Sequence, residues 1–170
     1  MRPGASITLY SVYYKDFALR PKAPYVVPIQ AGAALHPRLT MLGDNTGNHI
    51  SHLNNYYSEL TAAYWIIKNA ERNTNAWGLC HYRRYLVKLV TKYFCKRKSR
   101  YYFKTSQKVL NSLLTDELYT YLSRLLTKVD VIVQLPTYAK KQGRKVYTIK
   151  EGYFADHSGG RLENCDAGSN

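Results

Sequence analysis

The spacing of apolar and polar positions divides the chain into a short series of elements. Residues 7–14, Ile-Thr-Leu-Tyr-Ser-Val-Tyr-Tyr, are rich in β-branched and aromatic side chains and read as a first strand. Residues 15–28 contain Pro21, Pro24 and Pro28 and read as an irregular loop. Residues 41–55 are dense in Gly, Asn and Asp, which favour turns, so this stretch is expected to be a polar surface loop of the kind that carries ligands. Tyr57, Leu60, Tyr64 and Ile67 recur at three- and four-residue spacing and predict a helix over 57–69 with that stripe as its apolar face. Asn54 or Asn55 is its expected cap.

After a turn over 69–75, residues 76–82 (Ala-Trp-Gly-Leu-Cys-His-Tyr) read as a buried strand. Alternation puts Trp77, Leu79 and His81 on one face and Cys80 and Tyr82 on the other. Arg83 and Arg84 then fall at or just past its carboxyl end. Residues 88–108 are basic and aromatic and are assigned to no element. A second helix is expected over 115–127, with Thr115 as cap, Asp116 and Glu117 at the positive end of the helix dipole, and Leu118, Leu122 and Leu125 on one face. Residues 129–135 read as a strand ended by Pro136. Strands alternating with helices predict an α/β sandwich with a largely parallel sheet. Ligands collect at the carboxyl ends of such strands, which makes Arg83, Arg84 and the 41–55 loop candidates for one site.

Composition narrows the partners more than the fold. The 170 residues suit one domain, and 45% hydrophobic with 21% charged residues is ordinary globular composition. The net charge of +14 favours anionic partners: nucleic acid, lipid headgroups or phosphate-bearing substrates. The charge is concentrated, with eleven Lys or Arg and no acid between Arg72 and Thr115. Cys80, Cys95 and Cys165 are widely spaced and form no Cys-x-x-Cys pair, which argues against a disulfide framework or structural zinc and fits a reducing cytoplasm. No secretory signal is apparent, and no run of about 18 apolar residues spans a membrane.

Two stretches carry a specific resemblance. The first is Gly43-Asp44-Asn45-Thr46-Gly47 followed by Ile50-Ser51, Asn54, Tyr57, Glu59-Leu60-Thr61-Ala62, Tyr64-Trp65 and Lys68-Asn69. The second is Gly78-Leu79-Cys80-His81-Tyr82-Arg83-Arg84-Tyr85. Together they resemble the signature of the family known as domain of unknown function 4422, over roughly residues 6–157, with 158–170 left as a polar tail or the start of a further region. Asn48 and Leu53 depart from it, standing where the family usually has Asp and commonly Lys. Members resemble glycosyltransferases of capsule, O-antigen and exopolysaccharide assembly. The resemblance implies a nucleotide-diphospho-sugar transferase-like (GT-A-like) sandwich, C-terminally shortened relative to longer members. It also implies a nucleotide-sugar donor and a polysaccharide or lipid-linked acceptor.

Under that resemblance, transfer requires stabilisation of a departing diphosphate. Many enzymes of that fold use a divalent metal on an Asp-x-Asp motif, which this sequence lacks. Arg83 and Arg84 offer fixed, bidentate cations in its place. Glu59 and Asp44 are the candidate bases for an acceptor hydroxyl, and His81 is a candidate proton carrier. Asn45 and Thr46 are candidates for hydrogen bonds to the donor sugar. Tyr64 and Trp65 are expected in the core. The basic, aromatic stretch is expected to lie against anionic lipid at the inner face of the membrane. Two other readings are a nucleic-acid-binding module using the Tyr-rich basic region, and an inactive transferase-like partner protein. The first is disfavoured because no recognised nucleic-acid motif appears.

Overall fold

The computed structural model describes residues 4–70, 74–86, 106–132, 139–140 and 146–147. It divides into one unit over Met1–Val133 and a second over Gln134–Asn170. In the second, two short strands, Ala139–Lys140 and Val146–Tyr147, pair antiparallel. Everything below concerns the first unit.

Four strands form its sheet: β1 (Ile7–Tyr13), β2 (Val26–Gln30), β3 (Leu42–Gly43) and β4 (Ala76–His81). Their spatial order is β3-β2-β1-β4, and every pairing is parallel. The expected α/β architecture with a parallel sheet is therefore present. The strands finish level, with Tyr13 beside Gln30, Gln30 beside Gly43, and Tyr82 N–H donating to the Val12 carbonyl at 3.1 Å. The chain steps outward from β1 to β3 and then returns to the other side of β1 for β4. The strand order reverses there, and at such a reversal a crevice opens outside the strand ends.

The period of two in β1 sorts the core into two layers. Ile7 and Leu9 face Leu110, Leu114, Leu118 and Leu122 of helices α3 (Gln107–Leu113) and α4 (Asp116–Leu125) and the loop between them. Tyr10 and Val12 face Ala62, Trp65 and Ile66 of α2 (Leu60–Asn69), which follows a single turn, α1 (Asn54–Tyr57). Side chains at both strand–helix boundaries are tied in. Tyr25 donates its hydroxyl to the Thr115 carbonyl at 3.1 Å, and Trp65 Nε1 donates to the Thr46 carbonyl at 2.8 Å.

Several expectations are corrected. Pro28 lies inside β2, opposite Ser11, instead of in a loop. A proline is tolerated there because β3 reaches only Ile29 and Gln30, so the outer side of β2 has no ladder at Pro28. The single helix expected over 57–69 is broken at Ser58. The stripe Tyr57, Leu60 and Ile67 faces outward, and α2 buries Thr61, Ala62, Trp65 and Ile66 instead. The neighbouring sheet face carries Tyr10, Val12 and Ile29, and the helix face with the large Trp65 indole packs on it. Asn54 does not cap α1 and is drawn into the break. Residues 76–81 form a strand as expected, with Tyr82 in the turn after it, and among the described residues Trp77 and Leu79 are left exposed. Residues 129–132 form no strand, because the Lys128 and Val129 N–H groups fold back onto the Leu125 carbonyl and continue the helix end. Residues 133–135 of that expected strand, and most of the basic stretch 88–108 with its expected membrane contact, lie outside the described residues. Among the described residues, no helix is long and apolar enough to cross a membrane.

Candidate functional site at the carboxyl ends of β1 and β4

At the carboxyl ends of β1 and β4, the candidate residues sit on the turn that follows β4 and on the break before α2. β4 delivers His81 to the sheet edge, and a tight turn follows in which Arg84 N–H donates to the His81 carbonyl at 2.8 Å. That turn sends both arginine side chains outward, and both residues are exposed. Arg83 also donates its backbone N–H to His81 Nδ1 at 3.3 Å. An imidazole nitrogen that accepts a hydrogen bond carries no proton, so the neutral ring holds its proton on Nε2.

His81 Nε2 faces Glu59, whose Oε1 lies 3.8 Å away. Glu59 comes from the break between α1 and α2, half-exposed, while the imidazole is mostly covered. Burial is the largest influence on His81 and holds its pKa below the ordinary value. Glu59 opposes that effect, and the Arg83 and Arg84 cations reinforce it. The ring is therefore neutral at physiological pH, with its Nε2 beside a carboxylate but beyond hydrogen-bonding distance of it.

Aromatic rings cluster beside these residues. Tyr82 stacks on Tyr13 at 5.3 Å between centroids and meets Phe17 at 5.0 Å and Tyr14 at 5.7 Å edge-on. The Arg83 guanidinium lies 4.9 Å over the Tyr82 ring, a cation–π arrangement that holds it at the strand end. Tyr82 Oη is buried with no partner in hydrogen-bonding geometry. The Tyr14 hydroxyl is still close enough to matter. Burial, then Tyr14, pushes the Tyr82 phenol up, while the Tyr82 hydroxyl is the main cause pulling Tyr14 down.

The loop after β3 is built differently. Asp44 is fully buried. Its Oδ2 accepts from Gly32 N–H at 3.0 Å, and its Oδ1 accepts from Ala33 N–H at 3.0 Å and from Ser51 Oγ at 2.5 Å. The carboxylate thus fastens the end of β2 to the loop that enters α1. Thr46 lends its carbonyl and its Oγ1 to Trp65 Nε1, at 2.8 and 3.1 Å. Asn48 and Asn69 exchange two hydrogen bonds, Asn48 N–H to Asn69 Oδ1 at 2.9 Å and Asn69 Nδ2 to the Asn48 carbonyl at 2.7 Å, and Tyr64 donates to Asn48 Oδ1 at 3.0 Å. The loop is a clasp over α2.

The family described as "Domain of unknown function (DUF4422)" matches residues 8–167 of the sequence. The chain belongs to the DUF4422 family. A comparison with curated proteins found no match. Among solved structures, the chain is similar to the apo structure of WbbM, a bifunctional glycosyltransferase, at 35% identity and a TM-score of 0.43. That similarity covers 46% of this chain and 14% of the WbbM chain.

Of the DUF4422 residues singled out in the sequence, Glu59, His81, Arg83 and Arg84 come together at the carboxyl end of β4. Asp44 and Thr46 have their hydrogen bonds directed into the clasp, and Asn45 sits against Gly43, whose added Cβ would lie 2.8 Å from Asn45 Oδ1. Trp65 is buried as expected, and Tyr64 is half-buried. Sequence reasoning did not single out Tyr14, Phe17 and Tyr82 as site residues. The signal available was alternation, which puts Tyr82 on the Cys80 face beside the buried end of β1. No cluster of three or more His, Cys, Asp or Glu side chains that could hold a metal occurs among the described residues.

Proposed function

We propose that this chain provides the donor-binding part of a glycosyltransferase, taking a nucleotide sugar and passing the sugar to a saccharide or lipid-linked acceptor. Membership in DUF4422 and the position of the Glu59–His81–Arg83–Arg84 group at the strand-order reversal support this reading. The single observation that carries it is the joining of a neutral, carboxylate-facing imidazole to two exposed guanidinium groups at one sheet edge.

Each group has a distinct task. Arg83 and Arg84 present fixed positive charge to the diphosphate that departs when the bond between the anomeric carbon and the phosphate oxygen breaks. Glu59 accepts the proton of the acceptor hydroxyl as its oxygen bonds to the anomeric carbon in a direct displacement. His81 is not the base in this scheme. Its free nitrogen, Nδ1, is already engaged by Arg83 N–H, and its Nε2–H can only donate. It steadies the Glu59 carboxylate in the orientation that receives the proton. Asp44, Asn45 and Thr46 shape the scaffold in this reading.

Thermal unfolding against a panel of nucleoside diphosphates and nucleotide sugars tests it, with single-stranded RNA at matched salt as comparator. The expected result is stabilisation by one nucleotide sugar that survives moderate salt and is lost in the Arg83→Ala, Arg84→Ala double variant. Stabilisation by RNA alone would replace this reading with nucleic-acid binding. Donor binding without sugar transfer to any acceptor would indicate an inactive partner protein.

A further inference from the structure

Among the described residues, one that is not glycine adopts a left-handed φ: Ser58, at φ 47° and ψ −127°. L-residues occupy that region only where their surroundings enforce it. Here the surroundings are a small polar knot. Ser58 N–H donates to the Asn54 carbonyl at 2.8 Å. The Ser58 carbonyl in turn accepts from Asn54 Nδ2 at 2.7 Å, from Thr61 Oγ1 at 3.1 Å and from Thr61 N–H at 3.2 Å. Asn54 Nδ2 also donates to Thr61 Oγ1 at 3.0 Å. Both Asn54 and Thr61 are buried.

The knot is anchored to the sheet. Asn54 packs on Gly32 so closely that a Cβ there would sit 2.6 Å from its Cγ, and Gly32 is itself at φ 69°. Gly32 N–H is held by Asp44, which links the knot to the clasp after β3. Buried polar groups that satisfy one another in this way fix one backbone conformation, because any alternative leaves donors unpaired.

The effect of the break falls on the next residue. An unbroken helix would put residue 59 on the same face as residue 55, four positions earlier, and Asn55 is exposed. The turn at Ser58 instead directs Glu59 to within 3.8 Å of His81. We propose that Asn54, Ser58 and Thr61 form a positioning device whose task is to set Glu59 against His81. This rests on the reading of Glu59 and His81 as the proton-handling pair of the transferase site. It gives the conspicuous Asn54 and the Glu-Leu-Thr-Ala run a role without ligand contact.

The test is the titration of His81 followed by NMR in the full chain, with its resonance assigned by its loss in His81→Gln. The charged and titratable groups that face the ring are Glu59 from the helix break, Tyr14 from the end of β1, and Tyr82, Arg83 and Arg84 from its own strand end. Glu59 is the group among them that raises its pKa. Glu59→Gln, at an exposed position, is therefore expected to lower the His81 pKa. Asn54→Ala and the isosteric Thr61→Val are expected to lower it in the same direction without touching either member of the pair. Thr61→Ser, which keeps the hydroxyl, is expected to restore the wild-type value. Circular dichroism and melting establish that each variant is folded. A folded Asn54→Ala or Thr61→Val protein with the wild-type His81 titration would overturn the proposal. So would a Glu59→Gln protein whose His81 titration is unchanged, since the pair would then not be in contact. If the titrations move as expected but no nucleotide sugar binds, the positioning device stands and the transferase reading falls.

Discussion

Asp44 illustrates how a polar motif residue can be read two ways. A carboxylate in a Gly/Asn-rich loop suits sugar hydroxyls or proton transfer, and nothing in the local sequence decides between those roles and a structural one. Burial and saturation by Gly32, Ala33 and Ser51 favour the structural role. Replacing Asp44 with Ala leaves two buried backbone N–H groups and a buried hydroxyl without their acceptor. The expected cost is on the order of 3 kcal/mol, read as a lower urea midpoint at unchanged m-value. A variant that keeps its stability but loses donor binding would return Asp44 to the binding site. Cys80 is a second residue where environment overrides type. Burial pushes its thiol up to about 12, with a Ser11 contact opposing the shift, so it is a packing residue with little thiolate at neutral pH.

At the scale of elements, β1 and α4 were legible because local signals and tertiary context agree. The run of β-branched and aromatic residues in β1 becomes the middle of the sheet, and Thr115 caps α4 by accepting from Leu118 N–H at 3.4 Å. Thr115→Ala is expected to cost about 1 kcal/mol in chemical denaturation, the usual worth of a capping hydroxyl. The region between residues 54 and 69 was less legible. Its apolar residues occupy more than one face, so periodicity alone selected the stripe that ends up exposed, and no propensity scale anticipates a left-handed serine. The Arg-Arg turn was placed correctly at the end of its strand. Its companion Glu59 could be named from its motif, but the contact with His81 required the long-range pairing of β1 with β4.

For the whole molecule, the His81 environment links stability to pH. Its folded pKa lies below the unfolded value of 6.5, so between those two values the unfolded chain binds more protons. The His81 contribution is present above pH 6.5 and is lost as pH falls through the depressed folded pKa. Melting temperature is therefore expected to drop as pH falls from 6.5 toward the depressed folded pKa, with a shallower drop in His81→Gln. An identical pH dependence in that variant would mean that other groups control it.

The pairing of β1 with β4 also constrains how the protein comes into being. Ile7 meets Ala76 across a separation of 69 residues, whereas β1 and β2 are near neighbours in the chain. Contacts between distant residues form late, after the entropy of closing the intervening loop has been overcome. During synthesis, β1 and β2 can associate early while the other edge of β1 stays open until β4 has emerged. An open parallel edge lined with Ile, Leu, Tyr and Val is prone to pair with other chains in that interval. The strand that brings His81 and its arginines to the sheet end is thus also the one that covers the open edge of β1, so the chain assembles its candidate chemistry in the step that pairs that edge.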